Sequence, residues 1–157
     1  MSLPEIRPMA RRDVDAALDV WSRLMDEGTA ADGRYVKGDI EAMRSEMQHW
    51  FACFHPFPPS YIAWDGTSVV GWISGQPAPS PSTVAAPKSA RIDNLWVDPD
   101  HRRQGLGRAL VEIWSQEARS AGFQRLEVAT LARDRRAVNF WREQGFGDWL
   151  VVLSSAP

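Results

Sequence analysis

Residues Arg91 to Leu110 constrain this chain more than any other stretch. Arg91-Ile-Asp-Asn-Leu-Trp-Val97 is an apolar run closed by Pro99, and Leu95, Trp96 and Val97 suit a pleated surface. Arg102-Arg-Gln-Gly-Leu-Gly107 follows, and a helical pattern begins there. Strand, basic glycine-rich turn and helix together make a phosphate site. Glycines let the backbone approach an anion closely, and the unpaired N–H groups of a first helical turn point at it. The helix dipole and the guanidinium groups of Arg102, Arg103 and Arg108 add positive potential.

Two common phosphate motifs are excluded. A P-loop needs a Lys-Ser or Lys-Thr pair after its second glycine, and none is present. A dinucleotide fingerprint needs a third Gly or Ala where Leu110 stands.

The 157 residues are expected to form a single domain, 1–157, with a full core. The net charge of −2 hides a segregation. Residues 101–136 carry eight arginines against four acids, whereas residues 1–60 carry ten acids against seven bases. A basic centre behind an acidic first third suits an anionic cofactor and a cationic second substrate; solvated faces that merely differ explain the acidic part equally well. A pI near 5.9 and a short basic run argue against nucleic acid. Cys53 is the one cysteine, so neither an internal disulfide nor a cysteine-rich metal site is expected. No His/Cys cluster has ligand spacing, so no metal is expected. Without a signal peptide or a long apolar run, the chain is expected to be soluble and cytoplasmic, with no membrane partner.

Taken in order, Glu5–Met9 is an edge strand because Pro8 cannot donate to a ladder. Asp13 can cap a helix whose stripe of Val14, Ala17, Leu18, Trp21, Leu24 and Met25 runs to Glu27, with Gly28 ending it. Asp39 can cap a second helix, which the prolines after Phe54 stop. Asp65-Gly66 joins two strands as a hairpin. Residues 76–88 carry four prolines and are expected as a mobile extended loop. After the organising turn, a third helix runs to Gly122. Gln124–Leu131 alternates as a strand, Asp134 can cap a fourth helix, and Trp149–Leu153 is expected as a last strand. The β-α-β-α-β tail requires a right-handed parallel crossover.

This arrangement, roughly residues 5–154, resembles the GNAT superfamily of N-acetyltransferases. The resemblance rests on Arg102-x-x-Gly-x-Gly107 between strand four and helix three, and on Asp134-Arg-Arg-Ala-Val-Asn-Phe-Trp141 followed by Gly145-Phe146. It implies an α/β (α+β) fold: a mixed, mostly antiparallel central sheet of six or seven strands flanked by four helices. The sequence departs from the family at two positions. Asp134 stands where the family often has Asn, and a carboxylate cannot donate a hydrogen bond to the cofactor as an amide can. Trp141 stands where the family often has a Tyr thought to protonate the leaving thiolate, and indole has no acidic proton to give. That role is then vacant, filled by water, or taken by Tyr35 or Tyr61, the only tyrosines. The tail is also short, so one closing strand is missing or comes from a partner chain, which makes a homodimer an option.

The resemblance implies acetyl-coenzyme A as cofactor and a primary amine, small molecule or peptide, as acceptor. The diphosphate would rest on the amides of Gln104, Gly105, Leu106, Gly107 and Arg108, beside Arg102 and Arg103. The pantetheine would follow the backbone of Leu95, Trp96 and Val97, and Asp134, Ala137 and Phe140 would meet the cofactor from helix four. An alkyl amine with a pKa of about 10.4 must lose a proton before it attacks, which costs roughly 4 kcal/mol at neutral pH. Asp93 matches the acidic residue that some members use as a base through water; alternatively it pairs with Arg91 or Arg125. His55, in its proline-rich loop, is a weaker candidate. Glu27, Asp32 and Tyr35 fall where the family builds its acceptor site, and would suit a cationic amine unless they are solvated loop residues. Two other readings compete: a non-catalytic acyl-coenzyme A binding or sensing domain, and a nucleotide-phosphate module.

Overall fold

A computed structural model describes residues 4–53, 55–79, 87–150 and 152–155. The elements in chain order are β1 (Glu5–Pro8), α1 (Val14–Ala31), α2 (Ile40–Ala52), β2 (Ser60–Asp65), β3 (Ser68–Pro77), β4 (Ser89–Val97), α3 (Leu106–Ser120), β5 (Arg125–Val128) and α4 (Arg135–Glu143). The strands form one sheet in the order β1-β2-β3-β4-β5, antiparallel except for the parallel β4–β5 pair. This is the expected mixed α+β architecture, with five strands among the described residues where six or seven were expected.

Each sheet face carries its own core. On one face α1 and α2 bury Leu18, Trp21 and Met47 against Ile62, Trp72 and Trp96. On the other, α3 and α4 bury Leu106, Leu110, Trp114 and Trp141 against Ile73, Ala90 and Ile92. The buried Trp72 indole donates to Ser60 Oγ at 2.7 Å, and Ser60 Oγ donates to the Ile73 carbonyl at 3.1 Å, so both polar groups are satisfied.

Local chemistry explains most element boundaries. Pro8 sits on the edge strand β1, where a missing N–H breaks no ladder. Gly66 makes the β2–β3 turn at φ 58°. The Asp39 carboxylate accepts from Ala42 N at 2.8 Å, and the Asp134 carboxylate from Ala137 N at 3.0 Å, so each caps its helix.

Five expectations need correction. Asp13 does not cap α1 with its side chain; a short 3-10 turn, Arg11–Asp13, comes first. Its carboxylate reaches back to Ala10 N at 2.7 Å and pairs with Arg7 at 2.7 Å. Gly28 does not end α1, which continues to Ala31. The Tyr35 ring packs where a Cβ on Gly28 would stand, 2.8 Å away, so this glycine serves a close contact inside the helix. β3 runs through Gln76 and Pro77, which removes both from the expected loop; residues 80–86 of that loop lie outside the described residues. β5 stops at Val128 rather than Leu131, because β4 no longer lies beside it. The expected strand Trp149–Leu153 is absent at its described positions: Trp149, Leu150, Val152 and Leu153 are exposed and unpaired. The Arg125 guanidinium covers the Trp149 ring at 3.8 Å, so a side-chain contact meets the tail where a ladder was expected.

Candidate active site

The cleft arises from a mismatch between neighbouring strands. In the β3–β4 ladder Ser74 faces Asn94 and Gly75 faces Ile92, so Asp93 is an extra residue in β4. Such a bulge bends its strand and raises the local twist. β4 pairs with β5 only over Ser89–Ile92 and Arg125–Val128. Beyond those residues the chains diverge. Asp93–Val97 forms one wall and Ala129–Leu131 the other, of a cleft of about 880 Å³.

The basic turn closes one end. Arg103 has φ 59° and Gly105 has φ 90°, two left-handed residues that fold the chain tightly into α3. The first helical bond runs from Ala109 N to the Gly105 carbonyl at 3.0 Å, which leaves the N–H groups of Leu106, Gly107 and Arg108 without partners in the helix. Gly107 lies against the Phe140 ring; a Cβ there would stand 3.3 Å from it, so the glycine lets α4 and the turn close together. Arg103 and Arg108 line the cleft and have no ion-pair partner among the described residues. These features suit a diphosphate.

The other expected cofactor residues divide. Leu95, Trp96, Val97, Asp134, Ala137 and Phe140 all line the cleft. Leu106 does not, since its side chain is buried in the core. Gln104 points away and donates to the Asp100 carbonyl at 2.8 Å. Arg102 lines the cleft as a brace: Nε donates to the Val97 carbonyl at 2.8 Å and Nη2 to Glu27 Oε1 at 2.6 Å.

Glu27 is a junction. Oε1 also accepts from Trp96 Nε1 at 3.0 Å, and Oε2 accepts from Arg136 Nη2 at 2.5 Å. One carboxylate therefore joins α1, β4, the basic turn and α4. Partial burial works against its charge, but Arg136 and Arg102 outweigh that and hold its carboxyl below the usual range. Asp32 is buried outside the cleft lining, where the Arg34 side chain holds it by two bonds of 3.0 and 2.6 Å. Those bonds hold the Asp32 carboxyl well below its ordinary range. Tyr35 lines the cleft, its hydroxyl donating to Met25 Sδ at 3.3 Å.

Asp93 lines the cleft, and the Arg91 alternative is realised: Oδ1 accepts from Arg91 Nε at 2.6 Å and Oδ2 from Gln76 Nε2 at 2.7 Å. Arg125 instead lies by Glu127, 4.0 Å away. Each Asp93 oxygen keeps a lone pair for water. Trp141 is buried at the cleft wall, edge-on to Phe140 and Phe146 at 5.1 and 5.3 Å. Tyr61 belongs to the core, where burial pushes its hydroxyl pKa up, and it does not reach the cleft. His55 lies outside the cleft, its Nε2 bonded to the Trp50 carbonyl at 2.9 Å.

Sequence reasoning missed the apolar wall of Leu24, Met25 and Leu131, and Arg136. Leu24 and Met25 were visible only as part of a core stripe. Arg136 carried a cue in its position in the first turn of a capped helix. Among the described residues no group of three or more His, Cys, Asp or Glu is placed to hold a metal, and no helix is long and apolar enough to cross a membrane.

Comparison with known proteins places this geometry. The model of the acetyltransferase (GNAT) family matches residues 21–146, and the chain belongs to that family. Human N-acetyltransferase 8 is 30% identical over 126 residues, 80% of this chain and 49% of that protein. The [ribosomal protein bS18]-alanine N-acetyltransferase of Escherichia coli K12 is 34% identical over 68 residues, 43% of this chain and 46% of its own. The matches thus span about half the length of these curated relatives. Among solved structures, the aminoglycoside N-acetyltransferase AAC(6')-Iy in complex with CoA superposes with a TM-score of 0.78 at 13% identity, covering 98% of this chain and 93% of that one. A tetramutant of the BH1408 protein from Bacillus halodurans gives 0.79 at 16% identity, covering 98% and 99%. These two share the fold.

Proposed function

We propose that residues 1–157 act as one cytoplasmic N-acetyltransferase domain. It moves an acetyl group from acetyl-coenzyme A to a primary amine of a small molecule or peptide, by direct attack in a ternary complex. The observation that carries the proposal is the splayed β4–β5 cleft ending at the Gly105–Gly107 turn, whose first N–H groups and whose Arg103 and Arg108 have no partner among the described residues. The donor set fits a diphosphate. Charge-assisted hydrogen bonds of this kind contribute roughly 1.5–3 kcal/mol each. CoA is named in complex with AAC(6')-Iy, a relative in fold, which supports the same carrier here.

Acetyl-coenzyme A supplies the acyl carbon as a thioester. The backbone of Leu95–Val97 positions that arm, and an N–H on this wall donates to the thioester carbonyl as charge develops. Asp93 takes the ammonium proton through water, so the freed nitrogen attacks as the carbon–sulfur bond breaks. Trp141 cannot return a proton to the thiolate, and Tyr61 is shut in the core. Water or Tyr35, the tyrosine on the cleft wall, supplies it.

Asp93→Asn should lower turnover at least a hundredfold at pH 7 while coenzyme A affinity changes less than twofold, since positioned general bases contribute 10² or more. Stopped assays of free-thiol release from pH 6 to 9 check this; an unchanged rate across that window would remove Asp93 as base. A second reading, a non-catalytic acyl-coenzyme A sensor, is favoured by Trp141 and by the Arg91–Asp93 pair. Tight coenzyme A binding with no thiol release on any amine would establish it.

A further inference from the structure

We propose that the acceptor end of the cleft selects a primary amine carried on an apolar or aromatic group, and discriminates against polycations. The inference rests on the acyl-transfer reading above and names the acceptor class for that same site.

The diphosphate turn starts α3, on one face of the sheet. The cleft also opens beside α1, on the other face of the sheet. An acceptor meeting the acyl carbon between the splayed strands therefore touches the α1 side. Leu24, Met25, Tyr35 and Leu131 form that wall. Gly28 holds it together: the Tyr35 ring packs against its bare backbone, and Leu131 Cδ1 stands 3.7 Å from where a Cβ would be. Thr29 Oγ1 donates to the Tyr35 carbonyl at 2.8 Å and anchors the ring's own backbone.

The acids beside α1 that gave this region its apparent appetite for cations are already paired; of the other cleft carboxylates, Asp134 caps α4 and Glu143 stands at that helix's C-terminal end. Glu27 takes Arg102 and Arg136. Asp32 takes Arg34, with Arg133 4.0 Å away. Asp26 takes Lys37 at 3.1 Å, and Asp93 takes Arg91. A polycation would have to break these pairs one by one and would meet Arg136 and Arg102 as neighbours. An apolar amine meets one such pair at most: its side group covers the wall, and its single ammonium approaches Asp93, whose oxygens each keep a lone pair beside the Arg91 and Gln76 bonds. The Tyr35 hydroxyl spends its proton on a thioether, a weak acceptor, so it can turn to a polar group beside the amine.

The test is calorimetric binding of ethylamine, phenethylamine, spermidine and a phenylalanyl-alanine amide dipeptide, on the free protein and on protein saturated with coenzyme A. Phenethylamine is expected to bind at least tenfold more tightly than ethylamine, and spermidine no more tightly than ethylamine. The dipeptide distinguishes the source: binding tighter than phenethylamine assigns a peptide terminus, weaker binding assigns a small amine, and either fits the proposal. Tyr35→Ser should cut the phenethylamine preference at least threefold, and circular dichroism would confirm its fold. Spermidine binding tightest, equal binding of all amines, or no binding would overturn the inference. Failure of coenzyme A to bind at all would instead defeat the acetyltransferase reading, because amine selectivity is measured without it too.

Discussion

Gly75→Ala should cost about 3 kcal/mol of folding stability or more, the upper range for forcing atoms into a packed core. Gly75 faces Ile92 beside the β4 bulge, and its N–H donates to the Pro59 carbonyl at 2.8 Å. A Cβ there would stand 2.3 Å from the Arg91 carbonyl oxygen and 2.3 Å from Trp114 Cζ2. Neither neighbour can yield. The first is backbone in mid-sheet, and the second is a fully buried ring set edge-on to Phe57 at 5.2 Å. Gly71→Ala is the control. Its nearest atoms are Leu110 Cδ1 at 3.0 Å, then Ala63 Cβ and Leu106 Cδ2 at 3.2 Å, and two of these are ends of flexible side chains. Urea unfolding midpoints should therefore fall much further for Gly75→Ala than for Gly71→Ala. Equal shifts would mean that the close approach of Arg91 and Trp114 at Gly75 can relax as easily as the leucine contacts at Gly71.

Gly105→Val should weaken coenzyme A binding at least tenfold, about 1.4 kcal/mol, in a protein that still folds. No atom lies within 4 Å of a Cβ built at Gly105, so no clash is involved. The strain is in the backbone: φ is 90°, and a β-branched residue must leave that region or store strain of about 1–2 kcal/mol. Either way the N–H groups of the turn lose their aim. Gly105→Asn should fall between wild type and Val, because Asn tolerates left-handed backbone better. Equal affinities across the three proteins would show that the turn geometry does not matter to the ligand. Arg102→Ala should also weaken binding, through loss of the brace on Val97 and Glu27.

How far the sequence could be understood depended on the range of the interaction. Gly66, Gly105, Asp39 and Asp134 act within a few residues of themselves, and the conformation each imposes follows from its own chemistry. The buried stripe of α1 followed from helical periodicity, whereas its division from a second core across the sheet did not. Asp93 was a good candidate by position, yet its bulge is a property of two strands and appears only when Ser74 and Gly75 are placed opposite it. Glu27 and Asp32 looked like free carboxylates because their partners could not be foreseen. Arg136 lies 109 positions from Glu27. Gly28 looked like a helix end because a glycine's usual role is local, whereas here it makes room for a ring seven residues away. The last strand failed for a similar reason: Trp149–Leu153 has strand-forming residues, but residue type alone does not supply a ladder partner.

On the proposed reading, main-chain N–H groups between Gln104 and Arg108 hold the diphosphate of an acyl carrier. Amide nitrogen–proton NMR spectra recorded during a coenzyme A titration test it residue by residue. The Gln104–Arg108 amides should shift most and saturate together. Saturating coenzyme A that leaves those amides unmoved, while others shift, would contradict it.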